Sequence, residues 1–138
     1  MKIIKIILAL TLLLPVVACN AQTEKKDVKT GSSDKIEAYY FHFTTRCATC
    51  RTVEAQAKEN IETLYPDMIN QGKITFQSIN LEDASSKEIA EKLQISGQTL
   101  LLVKGDQKIN ITNEGFMYAV SQPEKLKAVI KEKIDGLL

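Results

Sequence analysis

Apolar and polar residues fall into blocks along this chain. Ile3 to Leu14 is apolar apart from Lys5 and Thr11, and positions 20–35 (NAQTEKKDVKTGSSDK) show no hydrophobic period. From Ile36 the pattern is that of a packed domain. Ile36 to Phe43 is an aromatic-rich run suited to a buried strand, too continuously apolar to tell its two faces apart. From Cys50 to Tyr65, Val53, Ala57, Ile61 and Leu64 recur at helical spacing among Arg51, Glu54, Lys58, Glu59 and Glu62, which predicts an amphipathic helix. Pro66 ends or kinks it, Met68 to Gln71 add a turn, and Gly72 is placed as a C-cap. Lys73 to Ile79 alternates as a strand. Ser85-Ser86-Lys87-Glu88 reads as a capping box opening a short helix over Ile89, Ala90 and Leu93. Gln98 to Lys104 is a continuous apolar strand, Gly105-Asp106 a turn, and Gln107 to Thr112 the returning strand. Ser121 to Glu124 reads as a second capping box, ahead of a helix with Leu126, Val129, Ile130 and Ile134 on one face.

The predicted order is β-α-β-α-β-β-α. Strands that bracket a helix are parallel through a right-handed crossover, and a hairpin makes the last two antiparallel. The fold class expected is α/β, a mixed four-stranded sheet with helices on both faces. No internal repeat interrupts this order.

The candidate chemistry lies between the first strand and the first helix, at Cys47-Ala48-Thr49-Cys50. A C-x-x-C can hold a metal, form an inert clip or exchange thiols. A strand-to-helix junction favours exchange, because unpaired N–H groups and the helix dipole stabilise a thiolate. Cys47 is the expected nucleophile. Cys50, one turn in and more buried, is the resolving thiol. Arg46 and Arg51 flank the motif as candidate modulators, and their charges favour the thiolate if directed inward. His42, the only histidine, is a candidate base for Cys50 or simply a structural histidine; Glu54 is the other candidate proton acceptor.

The element order, with C-x-x-C after the first strand, resembles the thioredoxin fold over Ile36 to Leu138. Two departures stand out. Thioredoxins commonly carry a buried Asp where this chain has Phe41, and a cis-proline where it has Thr99. A non-proline cis bond is costly, so Thr99 is expected to be trans, with its hydroxyl available to the cysteine sulfurs. The stretch YYFHFTTRCATCRTVE (Tyr39 to Glu54) also resembles a narrower group of thioredoxin-like bacterial lipoproteins. Some of that group are described as subunits of a nitrophenyl-compound nitroreductase system. With no flavin or nicotinamide signature present, that resemblance implies an electron-passing component.

The N-terminus adds location. Lys2 and Lys5, the apolar run and Val16-Val17-Ala18-Cys19 resemble an export signal ending in a lipobox, with Cys19 as the lipidated residue. This divides the chain into a signal peptide over 1–18, a lipidated flexible tether over 19–35 and the domain over 36–138. The place expected is the bacterial cell envelope, lipid-anchored, on the periplasmic or extracytoplasmic side. There a cysteine pair meets oxidising conditions. The chain has 18 basic and 17 acidic residues, and cleavage before Cys19 removes Lys2 and Lys5 and no acid, leaving a formal net charge of −1. Such a domain has no basic field for nucleic acid. The partners expected are a thiol or disulfide protein, or an upstream reductant, and a membrane reached through lipid. The cofactor expectation is none beyond a redox-active Cys47–Cys50 disulfide. The function expected is a membrane-tethered thiol–disulfide oxidoreductase or electron relay. Two alternatives remain: a soft-metal module binding copper or zinc through the same cysteines, and a binding domain with a static disulfide.

Overall fold

The computed structural model describes residues 34–138. The expected signal peptide, Cys19 and all but the last two residues of the tether lie outside the described residues. The chain then runs β1 (Ile36–His42), α1 (Ala48–Leu64), α2 (Pro66–Asn70), β2 (Ile74–Asn80), α3 (Lys87–Leu93), β3 (Thr99–Lys104), β4 (Gln107–Asn110), α4 (Thr112–Tyr118) and α5 (Pro123–Asp135). A 3-10 turn over Ala84–Ser86 leads into α3.

The sheet order is β2-β1-β3-β4. β1 pairs with β2 in parallel, from Ile36 opposite Ile74 to His42 opposite Asn80, and with β3 antiparallel, from Ile36 opposite Lys104 to Phe41 opposite Thr99. β3 and β4 form the antiparallel hairpin that Gly105, at φ 57°, turns. The mixed four-stranded sheet is therefore as expected.

β1 is buried on both faces, which is why its sequence shows no alternation. Ile36, Ala38 and Tyr40 face one core, with Val53, Ala57 and Ile61 of α1, Leu100 and Leu102 of β3, and Leu126, Ile130 and Ile134 of α5. Tyr39 and Phe41 face the other, with Leu93 of α3 and Leu101 and Val103 of β3. Helices thus cover both faces, α1, α4 and α5 on one and α3 on the other. Among the described residues, no helix is long and apolar enough to cross a membrane.

Three local expectations fail. Neither capping box forms: Ser85, the serine of the first, lies inside the 3-10 turn while Ser86 takes the N-cap position, and Ser86 and Ser121 bond backward. Ser86 Oγ donates to the Asp83 carbonyl at 2.7 Å, and Ser121 Oγ donates to the Met117 carbonyl at 3.1 Å. Neither α3 nor α5 has a side-chain cap hydrogen bond. The returning strand stops at Asn110, not Thr112. Asn110 Oδ1 accepts from the Thr112 N–H at 3.0 Å and the Thr112 hydroxyl at 2.6 Å, and this turn starts the unforeseen helix α4. Gly115 in the middle of Thr112–Tyr118 hides that helix from sequence reading.

Candidate active site

The segment from Phe43 to Arg46 carries the chain from the end of β1 to the N-terminus of α1, and Cys47 is the residue that caps it. Its backbone is extended (φ −72°, ψ 167°) and its Sγ accepts the Cys50 backbone N–H at 3.2 Å. Its carbonyl accepts the first helical bond, from the Arg51 N–H at 3.3 Å. A sulfur thus takes the place of the usual capping oxygen on the third helical N–H. No acidic side chain occupies the first turn to compete for that field.

Cys47 is disulfide-bonded to Cys50. The two differ in access, since Cys47 is exposed and Cys50 is only 5% exposed. The solvent-facing sulfur is therefore the one at the cap. This C-x-x-C disulfide sits at the head of α1, directly after β1, an inner strand of the β2-β1-β3-β4 sheet. The fold is thioredoxin-like.

The flanking residues of this thioredoxin-like site are engaged as follows. Arg46 pairs with Glu54 on α1, both side chains about one-fifth exposed. Arg51 Nη1 donates to the Arg46 carbonyl at 2.8 Å, so its guanidinium braces the loop entering the motif. The ring of His42 is buried, stacks near Tyr40 with centroids 6.1 Å apart and hydrogen-bonds through Nδ1 to the Phe43 carbonyl at 2.9 Å. A carbonyl can only accept, so Nδ1 carries the proton. Thr99 is in a trans backbone; its hydroxyl donates to the Gly97 carbonyl at 3.0 Å. Among the described residues, no group of three or more His, Cys, Asp or Glu is gathered as for a metal ion.

Strand alternation explains which neighbours reach the motif. Phe41 packs in the core on the α3 side, whereas Tyr40 lies on the α1 side, and Tyr40 Oη donates to the Cys50 carbonyl at 2.9 Å. Burial and the nearby Glu54 carboxylate push the Tyr40 phenol up, with Arg46 opposing, so the hydroxyl stays a donor. Just before β3, Gln98 brings its Oε1 to 3.5 Å from Cys50 Sγ. Sequence reading missed Tyr40 and Gln98. Their only signals were the aromatic run itself and a polar residue directly before Thr99.

The loop from Phe43 to Arg46 is pinned from the other side. The Thr44 N–H donates to Glu82 Oε2 at 2.6 Å, Asn80 Nδ2 donates to Thr44 Oγ1 at 2.9 Å, and the Leu81 N–H donates to the His42 carbonyl at 2.7 Å. Beside it, an open groove of about 400 Å³ is lined by Phe43, Leu81, Lys87, Ile95 and Ser96 among others.

No family model matches the chain, and no curated protein matches it. Among solved structures it is similar to oxidised thioredoxin O2 of Arabidopsis thaliana, at 19% identity over 72% of this chain and 75% of that one, with a TM-score of 0.47. It is also similar to the thioredoxin Mala s 13 of Malassezia sympodialis, at 23% identity over 73% and 76%, with a TM-score of 0.48. A third is the thioredoxin of Trypanosoma brucei brucei, at 22% identity over 72% and 79%, with a TM-score of 0.42.

Proposed function

We propose that this chain is a thiol–disulfide oxidoreductase or electron relay of the cell envelope, held at a membrane by lipid on Cys19. The observation that carries the redox part is the Cys47–Cys50 disulfide at the head of α1, with the exposed sulfur at the helix cap. In the dithiol form, Cys47 as thiolate attacks a disulfide of a partner protein. A Cys47–partner bond forms, and the partner's other sulfur leaves with the bonding electrons and takes a proton. Cys50 then displaces the remaining partner sulfur, closing the Cys47–Cys50 disulfide. Two electrons pass to the partner. Run backward, the same steps oxidise a dithiol, and the relative potentials set the direction.

The anchoring part is supported by Lys2, Lys5, the apolar run and Val16-Val17-Ala18-Cys19. A tether over 19–35 would join the domain at the start of β1. The motif follows the other end of that seven-residue strand, roughly 20 Å away at the rise of an extended chain. A role as electron-passing partner of a nitroreductase belongs to the same reading, resting on the resemblance of Tyr39 to Glu54.

The deciding experiment is equilibration of the purified protein with glutathione buffers, following the Cys47/Cys50 couple. The expected result is reversible exchange that Cys47→Ser abolishes. A couple that never exchanges, or a double cysteine variant with full activity, would reject the reading. Stoichiometric copper or zinc on protein purified without chelator would favour a soft-metal module instead.

A further inference from the structure

Resting on the thiol-exchange reading above, we infer that Gln98 is the polar partner of the resolving sulfur, standing where a titrating acid or histidine would otherwise act on Cys50. Gln98 Oε1 lies 3.5 Å from Cys50 Sγ, and the side chain is half-buried in the loop that faces the motif. Gln98 directly precedes β3, and its approach to Cys50 puts it on the side of Leu100 and Leu102, which pack against α1, while Thr99 has the parity of Leu101 on the opposite face. The Thr99 hydroxyl is spent on Gly97, Glu54 is paired with Arg46, and the His42 Nδ1–H is given to Phe43.

A carboxamide suits a sulfur that changes protonation state. Its oxygen accepts from the Cys50 S–H, and after rotation about its terminal torsion its NH₂ donates to the thiolate. A carboxylate serves only the first state. In the mixed disulfide, Cys50 releases its proton to water and its thiolate attacks Cys47 Sγ. The Cys47–Cys50 bond forms, the Cys47–partner bond breaks, and the partner's sulfur leaves with the electron pair and is protonated. Gln98 itself neither gains nor loses a proton. The titratable groups around this end of the sheet include Tyr40 and His42 on β1, Arg46 before the motif, Arg51 and Glu54 on α1, and Glu82 and Asp83 after β2, which reach Thr44 and Asn80.

The test is rapid mixing of the reduced protein with oxidised glutathione, acid quenching, and mass measurement of the mixed disulfide across pH. Losing a hydrogen bond to a charged sulfur moves the midpoint of the resolving step up by about one pH unit. Thiolate at neutral pH then falls about tenfold, and the higher nucleophilicity of the more basic sulfur returns about threefold, so Gln98→Leu slows resolution about threefold to fourfold. Gln98→Glu keeps the shape but adds like charge, so its midpoint rises further. Titration of the Cys50 thiolate by ultraviolet absorbance in a Cys47→Ser background reports the same order, and a merely structural glutamine would leave it unmoved. If the unsubstituted protein forms no mixed disulfide with glutathione, the oxidoreductase reading fails. If it forms and resolves one, but both variants keep its midpoint and rate, the assignment of Gln98 alone is overturned.

Discussion

Tyr40 Oη donates a buried hydrogen bond to the Cys50 carbonyl oxygen at 2.9 Å, tying the central strand to the first turn of the motif helix. Tyr40→Phe removes that bond and keeps the ring. Its expected cost is about 1 kcal/mol in denaturant unfolding, the net worth of one neutral hydrogen bond. Tyr39, Tyr40 and Tyr65 all have their phenols pushed up, chiefly by burial. A raised native value means that the stability is fully present below the ordinary value of 10.0 and is lost as pH rises beyond it. Unfolding curves taken above pH 10 should therefore show a falling midpoint, with a shallower fall in Tyr40→Phe. An unchanged slope in that variant would disconnect Tyr40 from the alkaline loss.

Arg46 and Glu54 give opposite predictions at one site. The pair is partly buried beside Cys47, and each partner neutralises the other's field at the sulfur. Glu54→Gln leaves the guanidinium uncompensated and should lower the pH at which the Cys47 thiolate forms; Arg46→Met leaves the carboxylate and should raise it. Iodoacetamide alkylation rate against pH reads both. A double-mutant cycle in denaturant should give a coupling of about 1 kcal/mol or less, given the remaining solvent access. Two shifts of the same sign would mean that the pair acts through loop geometry.

Glu82 controls the loop that enters the motif. The Thr44 hydrogen bonds hold its carboxyl below the ordinary 4.5. A depressed native value means that the contribution is present above 4.5 and is lost as pH falls through the native value. The amide protection factor of Thr44 should therefore drop in acid, while that of Leu81, whose partner is the His42 carbonyl, should hold. Glu82→Gln should show the lowered Thr44 protection already at neutral pH. Equal protection in the variant and the unsubstituted protein would remove Glu82 from this role.

The parts of the structure legible in the sequence are those fixed by chain-local rules. Periodicity located α1 and α5, Gly105 located the hairpin, and a helix between two strands implied parallel pairing of β1 and β2. The placement of Cys47 at a helix head was legible for the same reason. The capping boxes misled because the same serine motif serves a backward bond when a turn precedes it, as at Ser86 and Ser121. Neither the Tyr40 contact nor that of Gln98 was legible. Both depend on which face of a doubly buried strand a residue occupies, and β1 and β3 carry apolar residues on both. The face is set by packing against α1 and α3, a long-range fact.

Gly115 shows how an unforeseen element bears on the motif. It lets α4 lie against α1 and β3, since a Cβ there would come within 3.0 Å of Val53 Cγ1 and 3.4 Å of Leu100 Cδ2. Val53 is three residues past Cys50, and Leu100 is two past Gln98, so the pressure falls beneath both sides of the reactive pair. Two effects compete in Gly115→Ala. Helix propensity gains about 1 kcal/mol, and a methyl in tight contact costs about the same or more. The expected net change is therefore near zero. Gly115→Val adds volume that Val53 and Leu100 cannot yield to without moving, and should cost about 2 kcal/mol or more in denaturant unfolding. It should also slow resolution of a glutathione mixed disulfide by shifting Cys50 relative to Gln98. A stable Gly115→Val variant with unaltered resolution would show that α4 packs loosely enough to play no part in positioning the motif.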